Sequence, residues 1–178
     1  MRLSVIAATT GLVLFSQVCF ASTNTTLPSS SDLSLPSSRI AIQGALITGG
    51  IFSLGLEQFT DKTEIGASVS GSINNQSSPT KTVTPVIFGG LRQALCDRTT
   101  YFAYGVDLAG TFGEDHGQHI KADYAVGPYI SLEQMLTDHV MLAAWIQPYQ
   151  FEYKKVGASS VSTQSFFSTG GIAINYLF

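Results

Sequence analysis

The chain ends in the stretch Gly170-Gly171-Ile172-Ala173-Ile174-Asn175-Tyr176-Leu177-Phe178. Counting back by twos from the carboxyl terminus selects one set of residues: Phe178, Tyr176, Ile174, Ile172 and Gly170. Successive side chains point to opposite faces of a strand, so this set shares one face. The period of two predicts a β-strand with a largely apolar face that ends in an aromatic residue.

The same alternation continues through the chain from residue 40 onward. We predict eight strands, at about residues 39–47, 51–59, 64–73, 83–95, 100–112, 120–132, 140–153 and 165–178. Ten residues at ~3.3 Å each, tilted by ~40°, span roughly the 25 Å apolar band of a membrane barrel. Residues 40–59 hold either two strands around a tight Thr48-Gly49-Gly50 turn or one long strand with a bulge.

The predicted connections alternate between short and long. Residues 60–62, 96–99 and 137–139 form short turns, whereas residues 74–82, 113–119 and 154–163 are longer and polar. In bacterial membrane barrels the short turns face the periplasm and the long loops face outward. The pattern therefore predicts an antiparallel up-and-down barrel and assigns a side to every turn.

Composition excludes several classes of protein. Charged residues make up 12% of the 178 residues, about half the usual share, and the net charge is −3. Neither a basic nucleic-acid binder nor a coiled coil has this composition.

After the first 20 residues, no apolar run approaches the ~20 residues of a membrane-spanning helix. In hydrocarbon every backbone amide must be paired, so a membrane-spanning sheet has to close on itself.

The amino-terminal region is predicted to be an export signal. Residues 1–21 combine a basic start, an apolar run and Ala21 at the expected cleavage position. Residues 22–39 are rich in serine, threonine and proline, and we predict a flexible segment there before a barrel at residues 40–178. Cleavage would leave Cys96 as the one cysteine, which excludes an internal disulfide.

Together, the carboxy-terminal pattern and the eight alternating segments resemble those of the small eight-stranded outer-membrane β-barrel family, of the OmpX and opacity-protein type. The last strand resembles the carboxy-terminal assembly signal of that family at Gly170, Ile172, Ile174, Tyr176 and Phe178. The resemblance implies export through the periplasm with chaperones, insertion by the barrel-assembly machinery, and contact with outer-membrane lipid and lipopolysaccharide. The short first hairpin departs from the family pattern.

The inward parity of the strands predicts a polar network in the lumen. Its members are Glu57, Arg92, Asp107, Lys121, Asp123 and Glu133, with Glu64 on the same parity. We interpret this set as a plug of ion pairs and hydrogen bonds, because carboxylates away from water need partners. A general acid and base formed by Asp123 and Glu133 is the catalytic alternative.

Other residues suggest weaker hypotheses. His116 and His119, with Glu114 and Asp115, could collect a metal ion in an outer loop, although such loops are usually just solvated. Aromatic residues near the strand ends are predicted to form interfacial girdles: Phe59, Phe112, Tyr149, Phe151, Tyr153, Phe166, Tyr176 and Phe178. No strand carries a His-x-Ser pair of the kind expected in a lipid A deacylase.

The function predicted from sequence is non-catalytic. We expect an outer-membrane barrel without cofactor, catalytic site or metal site, whose outer loops contact a host, a neighbouring cell or the envelope. Nucleic acid is not an expected partner. A narrow pore or solute-binding barrel is the main alternative, and a soluble secreted barrel of lipocalin type is another.

Overall fold

The computed structural model describes residues 38–74, 80–95 and 99–178. Within these ranges the regular structure is entirely β-strand: β1 (Arg39–Ile47), β2 (Ile51–Phe59), β3 (Thr63–Asn74), β4 (Thr80–Ala94), β5 (Thr100–Gly110), β6 (Phe112–Asp115), β7 (Gln118–Thr137), β8 (Val140–Gln147), β9 (Gln150–Val156), β10 (Ser159–Ser165) and β11 (Thr169–Leu177). No helix in them is long and apolar enough to cross a membrane. The predicted signal peptide, most of residues 22–39, Cys96 and the middle of the loop at 74–82 lie outside the described residues.

These segments form a closed antiparallel barrel of eight strands. Three of the eight consist of two segments each: β5 with β6, β8 with β9, and β10 with β11. Neighbours along the chain pair with one another. The last strand, β11, pairs with β1, where Ala41 lies opposite Leu177. The predicted all-β, up-and-down barrel is confirmed.

Residues 40–59 form two strands, which settles the alternative left open by the sequence. β1 and β2 pair along their full length, with Ile47 opposite Ile51. Between them, Gly49 and Gly50 have φ angles of +91° and +79°. Residues with a Cβ rarely adopt such angles, so the glycine pair allows a three-residue turn.

The two faces of the barrel wall carry different kinds of side chain. Large aliphatic side chains are exposed on the outer face and form an apolar belt, which includes Ile42, Leu56, Ile65, Ile87, Leu108 and Ile174. Buried alanines line part of the inner face: Ala41, Ala45, Ala103, Ala143 and Ala173. The aliphatic outer face suits a barrel surrounded by hydrocarbon, and the inward alanines leave room for larger inward side chains in the narrow interior.

Two of the predicted outer loops are largely strand. β6, β7, β9 and β10 extend into residues 113–119 and 154–163, where β6 pairs with β7, and β9 pairs with both β7 and β10. The prediction of long loops there was wrong because both faces of this region are polar. Without an apolar face, a strand has no hydropathy alternation by which to recognise it.

Candidate functional site

Four charged side chains from four different strands meet inside the barrel. Strand register brings them together: Phe59 lies opposite Glu64, Glu64 opposite Gly90, and Tyr101 opposite Glu133. Glu57 and Arg92 are each two residues along their strands from one of these positions, so they face the same side. We call Glu57, Glu64, Arg92 and Glu133 the lumen cluster, and all four are buried.

Arg92 lies at the centre of the lumen cluster. Its Nε and one terminal nitrogen donate to Glu133 Oε2 at 2.8 and 2.5 Å, and its other terminal nitrogen donates to the Thr60 carbonyl at 2.7 Å. The centres of the Phe59 and Tyr101 rings lie 4.5 and 4.3 Å from the guanidinium carbon. Two aromatic rings and a carboxylate therefore hold the cation in place.

The other two carboxyl groups receive hydrogen bonds from neutral donors. The Tyr129 hydroxyl donates to Glu64 Oε1, and Asn175 Nδ2 donates to Glu57 Oε2 at 3.0 Å. Glu64 Oε2 lies 3.6 Å from Arg92 Nε but has no hydrogen-bond donor among the described residues. One guanidinium thus faces three carboxyl groups.

Only part of the predicted polar network belongs to this cluster. Asp107 lies elsewhere in the lumen, and its two oxygens accept hydrogen bonds from Gln147 Nε2 at 2.6 and 2.5 Å. Asp123 is ten residues from Glu133 along β7, a distance of about 33 Å at ~3.3 Å per residue. The two carboxylates are therefore too far apart to act as a general acid and base on one substrate.

The prediction that Lys121 lies in the lumen was wrong. Its side chain is exposed, whereas that of Ile120 is buried. Ile120 lies opposite Val156 and Ala122 opposite Lys155, so Lys121 is the extra residue of a β-bulge. A bulge shifts the alternation by one residue. The faces predicted by counting along the rest of β7 are therefore wrong on the amino-terminal side of the bulge.

A second charged group, which we call the outer cluster, lies on the sheet beyond the barrel. Lys154 Nζ is 2.7 Å from Asp115 Oδ2 and 4.0 Å from Asp123 Oδ2. The hydrogen bond from Lys154 holds the pKa of Asp115 below its ordinary value, and the same bond raises the pKa of Lys154. Asp115 also contacts His116 Nδ1 at 2.8 Å. The Lys154 ammonium group thus binds Asp115, one of the four loop residues that the sequence suggested as metal ligands.

The residues that resemble an assembly signal lie on the outer face of β11. Ile172, Ile174, Tyr176 and Phe178 are all exposed, while Ala173, Asn175 and Leu177 between them are buried. The Tyr176 and Phe178 rings pack edge to face, with centroids 5.1 Å apart. Strand β11 thus presents an aliphatic and aromatic stripe outward while it closes the barrel.

Sequence comparisons find no match for the chain, whereas structural comparisons find proteins with a similar fold. No protein-family model matches the sequence, and no curated protein matches it significantly. Outer membrane protein H (OprH) from P. aeruginosa superposes with a TM-score of 0.53 at 12% identity, covering 80% of this chain and 100% of that one. This chain has the fold of a small outer-membrane β-barrel.

Two further barrel structures match with lower scores. Neisserial surface protein A (NspA) has a TM-score of 0.45 at 14% identity, over 79% of this chain and 92% of its own. OprG from Pseudomonas aeruginosa has a TM-score of 0.44 at 14% identity, over 80% of this chain and 96% of its own.

Several members of the site escaped sequence reasoning. Phe59 was predicted in an interfacial girdle, but its side chain is 6% exposed and packs on Arg92. It lies two residues from Glu57 and shares its inward parity, so strand parity could have placed it. Tyr129 and Asn175 also lie on inward positions, but nothing in the sequence shows which carboxyl group each one contacts.

Proposed function

We propose that the chain is a non-catalytic integral protein of the bacterial outer membrane that presents a protruding sheet to partners outside the cell. The observation that carries this proposal is the length of β7, which has 20 residues. At ~3.3 Å per residue it is about 66 Å long, roughly twice what a tilted strand needs to cross the membrane. The short turn at residues 138–139 is predicted to be periplasmic. The additional length of β7 lies at the opposite end of the strand, and therefore on the outer side of the membrane.

The apolar belt on the outer face supports a membrane barrel over a soluble barrel. Its aliphatic residues are about half exposed or more, including Leu56 at 60% and Ile65 at 64%. A lipocalin-type barrel would have the opposite arrangement, with apolar residues inside. In water, an outer face of this kind would favour aggregation.

The lumen cluster weighs against the pore alternative. Eight strands leave an interior that side chains fill, and here Arg92 and its carboxyl partners occupy it near the predicted periplasmic turns. Contacts made by two rings, a carboxylate and a backbone carbonyl fix Arg92 in position. Solute passage would require this group to move aside.

The protruding sheet supports a binding role. Its strands pair in the order β4, β6, β7, β9 and β10. β10 carries the sequence SSVSTQS and, among the described strands, pairs with β9 alone. Its hydroxyl side chains and free backbone edge can hydrogen-bond to an extended peptide or a polar cell-surface component.

Gel migration tests the membrane barrel. We expect the folded chain to migrate differently from the boiled chain and to require detergent for extraction from cell envelopes. Recovery of the folded protein in the aqueous fraction would contradict the membrane proposal.

Shortening the outer hairpin tests the binding role. Replacing residues 153–162 by Asn-Gly joins Glu152 to Thr163, which lie opposite each other in the sheet, through a favoured two-residue turn. We expect normal heat-modifiable migration but loss of binding to host cells or purified envelope components. A variant that binds as well as wild type would exclude this hairpin as the contact surface.

Assembly through the carboxyl terminus is a separate proposal. Phe178 is 67% exposed and Phe112 65% exposed, so replacing either by alanine removes a similar amount of outward aromatic surface. We expect Phe178→Ala to reduce the outer-membrane level of the chain and Phe112→Ala to leave it unchanged. Equal levels of the two variants would argue against recognition of Phe178 by the barrel-assembly machinery.

A further inference from the structure

The lumen cluster contains more acid than base. Glu57, Glu64 and Glu133 supply three carboxyl groups, and among the described residues Arg92 is their one ion-pair partner. With the carboxyl groups ionised, the cluster has a formal charge of −2. The side chains of Glu64, Arg92 and Glu133 are only 2–3% exposed, so water does not compensate that charge.

Two oxygen atoms at the cluster lack hydrogen-bond partners. Within the described residues, Glu64 Oε2 and Asn175 Oδ1 are buried and accept no hydrogen bond. Asn175 is 1% exposed, and its Nδ2 bonds to Glu57, which places the amide group at the cluster. The amide oxygen without a donor is a second observation, independent of the acidic charges: beside the carboxylates lies a buried neutral oxygen that can still accept a donor or bind a cation.

The geometry points to a bound ion: we propose that Glu57, Glu64 and Glu133 hold one divalent cation of the hard, oxygen-preferring class. One carboxylate oxygen from each residue lies within 4.8 Å of the other two. A point equidistant from three atoms with that spacing is 4.8/√3, or about 2.8 Å, from each of them. Ca²⁺–oxygen distances are about 2.3–2.6 Å, so shifts of a few tenths of an ångström complete the site.

The donor set decides the class of ion. Carboxylate and amide oxygens suit Ca²⁺, Mn²⁺ or Mg²⁺, and the group offers neither cysteine nor histidine to favour zinc or copper. Mg²⁺ requires shorter contacts of about 2.0–2.1 Å and retains its waters. The site therefore fits Ca²⁺ or Mn²⁺ better.

Arg92 remains compatible with an ion because its hydrogen bonds within the lumen cluster all go to a single carboxylate oxygen. Its Nε and one terminal nitrogen donate to the same atom, Glu133 Oε2, which leaves Glu133 Oε1 for the ion. The guanidinium offsets one carboxylate and a divalent cation offsets the other two. Two bound protons would balance the charge equally well, so the experiment must separate protons from metal.

The test is titration of Mn²⁺ into the chain refolded in detergent micelles, followed by electron paramagnetic resonance, with the ion also supplied during refolding. We expect one Mn²⁺ per chain, competition by Ca²⁺, and a higher thermal midpoint with the ion than with EDTA. Glu57→Gln and Glu64→Gln, which preserve side-chain shape, should each weaken binding on the order of tenfold or more. Heat-modifiable migration verifies that every variant is folded.

Glu114→Gln is the matched control: Glu114 is an exposed acid on β6, outside the lumen cluster, so the substitution should leave binding unchanged. Wild-type chain that binds no Mn²⁺ in one-to-one ratio under either condition would overturn the proposal and assign protons to the cluster. Binding that survives both lumen variants would overturn it equally, since the ion would then sit elsewhere.

Discussion

The lumen cluster and the outer cluster contain the same kinds of group in opposite surroundings. In the lumen, the Arg92 and Glu133 side chains are 2% and 3% exposed, whereas in the outer cluster Lys154 and Asp115 are 34% and 20% exposed. The ion-pair distances are similar, at 2.5 and 2.7 Å. Because water screens the outer pair and cannot reach the inner one, equal geometry should give very different energies.

The largest effect should come from removing the Arg92 guanidinium. With EDTA present to exclude a bound metal ion, Arg92→Gln leaves three carboxyl groups without a positive partner, and we expect the free energy of unfolding to fall by about 3–5 kcal/mol. Urea unfolding of the chain in micelles measures this loss. Lys154→Gln makes the same kind of change in the outer cluster and is the control. If the two variants lost equal stability, burial would not be what separates the clusters.

A smaller loss of stability should follow from adding a methyl group to the barrel wall beside the lumen cluster. A Cβ at Gly90 would lie 2.6 Å from the Tyr129 hydroxyl and 2.5 Å from the Tyr104 carbonyl oxygen. We expect Gly90→Ala to destabilise the barrel by about 1–3 kcal/mol, because the Tyr104 backbone must shift and the Tyr129 hydroxyl must move away from Glu64.

The adjacent residue is the control for this substitution. A Cβ at Gly89 would find its nearest neighbour, the Glu64 carbonyl oxygen, at an ordinary 3.6 Å. Gly89→Ala should therefore be close to neutral in the same unfolding measurement. Similar losses at both positions would show that chain entropy or strand propensity, and not the space beside Tyr129, is responsible.

The smallest effect is expected in the outer cluster. Asp115→Asn should lower the free energy of unfolding by about 1 kcal/mol or less, and added salt should shrink that difference. Measurement of the urea midpoint at low and high salt checks both parts. A salt-independent loss would indicate a role for Asp115 in packing.

The outer cluster should also respond to pH in a defined direction. The pKa of Asp115 is lowered in the folded state, so its contribution is present above the unfolded pKa and is lost as pH falls through the folded value. The pKa of Lys154 is raised, so its contribution is complete below the unfolded pKa and is lost as pH rises through the folded value. The protection factors of the β9 amides, which correct for the intrinsic pH dependence of exchange, should therefore be largest between these limits, and Asp115→Asn should abolish the acid-side change.

Sequence reasoning succeeded where one face of a strand meets lipid. The parity of residues 170–178 placed each outward side chain of β11 correctly, because an apolar belt imposes strict alternation. It failed at Lys121, where a bulge shifts the count, and in the end of β9 beyond residue 153 and most of β10, which were predicted as a polar loop. Phe59 was also misplaced. Its aromatic side chain led to the prediction of an interfacial position, but the ring lies inside the barrel against Arg92.

The closed barrel follows from the pattern of residues along the chain. Period-two alternation predicts long strands with an outward apolar face, and unpaired amides cannot remain in hydrocarbon. Which inward charges meet depends on how the strands are paired in the folded protein. Strand register brings Glu57, Glu64, Arg92 and Glu133 together from positions up to 76 residues apart, and it leaves Asp107 and Asp123 elsewhere. Parity fixes the face of each side chain but is unchanged by a shift of two residues between neighbouring strands, so it could not show which inward charges meet.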